Sequence, residues 1–170
     1  METGTIVRAT VESPLGTLRV LVARGVLRAL LFPEEDEATV CRHLGLPFPV
    51  SREEADPAGI PSRLRAYFAG ELHALDEIAV EPGGSPFSRA VRLALRRIPP
   101  GETRSYGALA VAIGRPRAVR AVGRANATNP VPIVLPCHRV IASDGRLGGY
   151  GGRPERKAWL LRHEGAHVCV

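Results

Sequence analysis

Glutamine is missing altogether, asparagine occurs only at Asn126 and Asn129, and the sole lysine, Lys157, stands against 22 arginines. This bias is compatible with a GC-rich genome or with heat adaptation. Because the chain so rarely employs asparagine, two copies lying just ahead of Cys137 mark a place where a side-chain amide is needed. Cysteine is scarce too: Cys41, Cys137 and Cys169 are odd in number and far apart, which excludes a fully paired disulfide framework and fits a reducing compartment. No unbroken apolar run approaches the roughly 20 residues of a membrane-spanning helix, and no basic-then-apolar leader follows Met1. A soluble, unexported, cytoplasmic protein is therefore expected, nuclear if the source is eukaryotic. Cys41, His43 and His73, like His163, His167 and Cys169, are of ligand type but lack the paired spacing of a structural zinc site. No metal is expected there.

What is abundant is positive charge, and it is unevenly placed. Residues 1–84 hold 8 basic and 13 acidic side chains, a net charge of −5, whereas residues 85–170 hold 15 basic and 4 acidic, a net charge of +11. A compact cationic half is what a protein needs to lie on a phosphate backbone and release its counterions. The charge break coincides with Glu81-Pro82-Gly83-Gly84-Ser85, a linker composition. A chain of 170 residues accommodates two small domains, here 1–84 and 85–170.

Upstream, Thr5 to Val11, Thr17 to Ala23 and Val26 to Phe32 are β-type segments, the last two split by Arg24-Gly25 as in a hairpin. Helical spacing is expected over Glu34 to Leu44 and Pro61 to Ala69, with a further strand over Asp76 to Val80. The first half thus reads as a small α/β sheet domain that scaffolds the second. Downstream the signals are mainly helical. Ser85 can cap a helix that begins at Pro86 and buries Phe87, Val91, Ala94, Leu95 and Ile98 until Pro99-Pro100-Gly101 stops it. Ser105 can cap a helix through Tyr106 and Ile113, Gly114-Arg115-Pro116 breaks it, and Ala118 to Ala127 forms another, together a helix-turn-helix. Along the second helix Arg117, Arg120 and Arg124 alternate with Ala118, Ala121, Gly123 and Ala125. Small residues let backbone approach a groove while arginines reach phosphates or bases. A close-packed helix pair with solvated arginines is the plainer reading of the same pattern.

The chemistry centres on Pro136-Cys137-His138-Arg139-Val140, delivered by the stiff run from Asn129 to Leu135. A thiol is mostly protonated at neutral pH, and an adjacent imidazole or guanidinium is what turns it into a nucleophilic thiolate. Taken alone, Cys137 reads equally as a small buried hydrophobe.

Taken with its surroundings, the C-terminal half resembles the O6-alkylguanine-DNA alkyltransferases, or methylated-DNA–protein-cysteine methyltransferases. The matching stretches are Ile98 through Gly107, Arg120-Ala121-Val122-Gly123, Asn129 through Val140, Gly148 through Gly152 and Leu160 through Gly165, in family order over residues 85–165; Ser13 through Leu18 resembles the family's opening hairpin. The resemblance implies DNA repair: the thiolate takes the alkyl group from O6 of a guanine flipped out of the duplex from its minor-groove side, and the protein, a monomer, is consumed. It implies Cys137 as acceptor, His138 as base through a water, Glu164 orienting His138, and Asn129 bracing the turn. Arg120 would fill the gap left by the base, and Ala121 and Gly123 would let the helix approach. Tyr106 would meet the 3′ phosphate and assist the leaving guanine. Pro132 and Tyr150 would wall the pocket, and backbone groups of Cys137, Val140 and Gly151 would read the base. The chain departs from the family where Arg92 replaces a common aromatic residue, Ser88 a glutamine, and Gly151 a serine of some relatives. Relatives without the cysteine flag lesions without repairing them, which leaves a damage sensor as the alternative. A cysteine hydrolase or redox protein fits poorly, since no resolving cysteine or assembled triad is visible.

Overall fold

The computed structural model describes residues 4–148 and 153–168, which fall into two compact units, Met1–Gly83 and Gly84–Val170. The first is built on an antiparallel meander. Strand β1 (Ile6–Ser13) pairs with β2 (Gly16–Ala23), which pairs with β3 (Val26–Leu31). The β2–β3 turn places Arg24 at φ 52° and Gly25 at φ 75°. Two successive left-handed residues give the turn the twist its flanking strands demand. Helix α1 (Glu37–Leu44) starts where Asp36 accepts from the Thr39 amide and stops at the left-handed Gly45. Helix α2 (Ile60–Phe68) follows a short 3₁₀ turn.

Two features of this unit differ from expectation. A two-residue strand β4 (Arg52–Glu53) adds parallel to β1, held by Arg8, whose Nε and Nη2 donate to Glu53 Oε1 at 3.0 and 2.7 Å. Conversely, Asp76–Val80 is not a strand: only Val80 bridges to Leu27, and the Ile78 amide turns back onto the Leu75 carbonyl at 3.2 Å. One bridge cannot sustain a ladder. Cys41 is fully buried among Ile6, Leu21, Ala29 and Leu31, and burial raises its thiol pKa, so it acts as a small hydrophobe.

The second unit is mainly helical. Helix α3 (Pro86–Ala94) opens on the Ser85 hydroxyl, which accepts from the Ser88 amide at 3.2 Å, and tightens into a 3₁₀ turn over Leu95–Arg97. Val91, Ala94, Leu95 and Ile98 are buried as the periodicity requires, Phe87 only partly, and Arg92 joins the buried face. Helix α4 (Tyr106–Ala112) is capped by Ser105, and α5 (Val119–Ala127) packs against it across a turn at Gly114 (φ 75°). Sequence reasoning did not anticipate a two-residue parallel pairing of β5 (Arg104–Ser105) with β6 (Val140–Ile141). It ties the start of α4 to the strand that leaves the cysteine turn. Helix α6 (Pro154–His163) completes the unit.

Candidate active site

The segment from Asn129 to Val140 is a buried non-helical turn that must satisfy its own backbone polar groups. The Asn129 amide does much of this: its Nδ2 donates to the Leu135 carbonyl at 2.8 Å, and its Oδ1 accepts from the Val131 amide at 3.0 Å. Between those anchors Ile133 sits at φ 73°, a region β-branched residues avoid at a cost of about 1–3 kcal/mol. The turn then winds into a 3₁₀ coil over Cys137–Arg139, with the Cys137 amide donating to the Leu135 carbonyl at 2.8 Å. Cys137 is buried, at 5% exposure, and His138 fully so.

His138 Nε2 is in direct hydrogen-bond contact with Glu164 Oε1. Burial pulls the imidazole below its ordinary pKa despite the opposing pull of Glu164, so it is neutral near pH 7. With Nε2–H donating to the carboxylate, Nδ1 is left as the lone-pair nitrogen, and it is buried with no hydrogen-bond partner among the described residues. Burial alone would raise the Glu164 pKa, but hydrogen bonds and charges from His138 and Arg139 outweigh it and keep the carboxylate ionised. Arg139 Nε lies 3.1 and 2.9 Å from the two Glu164 oxygens, its Nη2 donates to Oε2 at 2.5 Å, and its Nη1 donates to the Ile98 carbonyl at 2.6 Å. Arg139 thus fixes Glu164 in place. Glu164 itself is delivered by the last turn of α6, which the left-handed Gly165 terminates.

The same helix face carries a residue that sequence reasoning missed. Lys157 is fully buried, its Nζ donates to the Val140 carbonyl at 2.6 Å, and burial brings its pKa down to about 8 against the opposing pull of the nearby Cys137 charge. Attraction between two charges is mutual, so a protonated Lys157 stabilises a thiolate at Cys137. A signal was available: Lys157, Leu160, Leu161 and Glu164 recur at the spacing of one helix face, all buried.

Comparison with known proteins agrees with this geometry. Residues 86–166 match the family model described as 6-O-methylguanine DNA methyltransferase, DNA binding domain. A methylated-DNA–protein-cysteine methyltransferase of Shigella flexneri is 44% identical over 160 residues, covering 91% of this chain and 93% of that protein. The crystal structure of the Mycobacterium tuberculosis O6-methylguanine methyltransferase superposes with a TM-score of 0.79 at 39% identity, covering 94% and 93% of the two chains. The crystal structure of OGT from the same organism in complex with DNA gives 0.75 at 40% identity, over 94% and 92%. The chain belongs to the methylated-DNA–protein-cysteine methyltransferase family. It is therefore a DNA-repair methyltransferase that transfers the alkyl group to its own cysteine, and residues 86–166 form its DNA-binding domain.

The remaining expected site residues of this methyltransferase divide by exposure. Tyr106, at the first position of α4, is half-buried beside Lys157 Nζ, which lies 6.0 Å from its ring centre. Burial and the Cys137 charge raise its pKa while a hydrogen bond with Asn126 lowers it, and the net effect keeps the phenol protonated and able to donate. Gly123 faces Tyr106: a Cβ there would stand 3.8 Å from the ring, an ordinary van der Waals contact that the α4–α5 packing would accept. Arg120, Ala121 and Arg124 occupy the exposed face of α5, and Arg104, Arg115 and Arg117 are exposed as well. Pro132 and Val140 are buried in and just after the turn. Asn126, not assigned a role of its own from sequence, reaches from α5 to donate to the Cys137 carbonyl at 3.3 Å. Tyr150 and Gly151 lie outside the described residues. Among the described residues, no three His, Cys, Asp or Glu side chains gather into a metal site, and no helix is long and apolar enough to cross a membrane.

Proposed function

We propose that Cys137 accepts the alkyl group from O6 of a guanine flipped out of double-stranded DNA, with each neighbouring side chain in a defined role. The observation that carries this reading is the buried Cys137-His138-Glu164 arrangement, in which Nε2 is committed to a carboxylate and Nδ1 is open to a proton. His138 takes the thiol proton through a water, Glu164 stabilises the imidazolium that forms, and Lys157 stabilises the thiolate. The sulfur displaces guanine in line: the S–C bond forms as the C–O6 bond breaks. Negative charge developing on the leaving base is met by the phenol of Tyr106. The product is a thioether, and nothing at the site regenerates the thiol, so each chain acts once.

The exposed Arg120 on α5 fills the stack vacated by the base, α4 and α5 act as a helix-turn-helix against the minor groove, and the cationic α4–α5 turn meets phosphate. Pro132 lines the base pocket, with Tyr150 and Gly151 contributing from the segment beyond Gly148. One domain built this way needs no partner subunit, so the protein works as a monomer, in the compartment that holds DNA. The test is a duplex bearing O6-methylguanine with a labelled methyl. The label should move to protein in the wild type and stay on DNA with Cys137→Ala, which still binds. Tight binding by the wild type with no label transferred would establish a damage sensor instead.

A further inference from the structure

Arg92 in α3 is a buried cation, at 6% exposure. A guanidinium out of water requires its donors to be matched. Its Nε donates to the Ala125 carbonyl at 3.2 Å, and its Nη2 donates to the Thr128 carbonyl at 3.1 Å and to Thr128 Oγ1 at 2.9 Å. Thr128 Oγ1 in turn donates to the Arg124 carbonyl at 2.9 Å. The Ala125 and Thr128 carbonyls that Arg92 meets belong to the last turn and exit of α5, where helical partners run out and a cation is favoured by the helix dipole. Gly84, at φ 86°, closes over the group so tightly that a Cβ there would lie 2.8 Å from Arg92 Nη1.

The end of α5 is also where the cysteine turn is held. Asn126, one residue past Ala125, donates to the Cys137 carbonyl, and Asn129, one past Thr128, spans Val131 and Leu135. The exposed Arg120 sits at the other end of the same helix. We propose that Arg92 is a positioning residue for methyl transfer: it locks the exit of α5 so that the two asparagine braces hold Cys137 in attacking geometry. The inference rests on the alkyl-acceptor reading of Cys137.

Single-turnover transfer from a duplex containing O6-methylguanine, with protein saturating, separates the rate of transfer from DNA affinity. Arg92→Met keeps the length and removes every donor. Its saturated transfer rate should fall about 10- to 100-fold, the penalty of a small misplacement of a reacting group, while DNA affinity stays within about threefold. Arg92→Lys, which keeps the charge but not the fork, should fall between. Arg92→Ala should regain rate when guanidinium ion is added at millimolar concentration. For variants that fold poorly, Thr128→Val supplies a milder lesion and should slow saturated transfer without weakening binding. A wild-type saturated rate in Arg92→Met or Thr128→Val, or a loss confined to DNA affinity, would overturn the role. Absence of transfer by the wild type itself would instead overturn the acceptor reading.

Discussion

Replacing Lys157 by methionine should make the protein more stable and less active at once. The buried ammonium has its pKa brought from 10.5 down to about 8. At about 1.4 kcal/mol per pKa unit, that displacement corresponds to roughly 3 kcal/mol of strain in keeping the charge below pH 8. Methionine of similar length removes this and leaves the Val140 carbonyl without its donor, at about 1 kcal/mol. The net gain is about 2 kcal/mol, or roughly 4–8 °C in melting temperature for a chain of this size. The sign with pH follows from linkage. The folded pKa lies below the unfolded one, so wild-type stability rises as pH climbs from about 8 to 10.5, and the advantage of Lys157→Met should shrink across that window. Thermal melts of both proteins at pH 7 and pH 10.5 measure this directly. Methyl transfer by the variant at pH 7 should be slower by about 10- to 100-fold, because a charge preorganised beside the sulfur has been lost. A variant less stable than the wild type at pH 7, or a gap unchanged at pH 10.5, would refute the reasoning.

Glu164→Gln should slow transfer by about 10²–10⁴-fold by weakening His138 as a base, and should destabilise by about 3–5 kcal/mol because Arg139 is left as an uncompensated buried charge; single-turnover kinetics and urea melts separate the two. Since burial keeps the folded-state pKa of His138 below the ordinary 6.5, the acid limb of the transfer rate should lie below pH 6.5, and a midpoint above it would contradict a neutral buried imidazole. Asn129→Ala removes both bonds that hold the Ile133 turn and should lower stability by about 2–4 kcal/mol. Affinity for duplex DNA should fall linearly on a log–log plot against salt, as counterion release by the +11 half requires.

Much of the site was legible because its signals are local. Ser85 and Ser105 announced their helices, Arg24-Gly25 its hairpin turn, and the two asparagines their unusual placement. What escaped reading depends on partners distant in sequence. Strands of two residues, such as Arg104–Ser105 with Val140–Ile141, are too short to show a period, and the pairing spans the whole α4–α5 segment. Asp76–Val80 had strand composition but no neighbour to form a ladder with beyond Leu27. The burial of Arg92 and Lys157 was not legible, because charge predicts exposure unless the matching carbonyls of α5 and Val140 are known in advance.

The most direct measurement is the mass of the peptide containing Cys137 after the protein is incubated with duplex DNA bearing O6-methylguanine. One added methyl group per chain on that peptide, with no second turnover at any DNA excess, is expected. An unmodified Cys137 peptide alongside repaired DNA, or a methyl group on any other residue, would contradict the account.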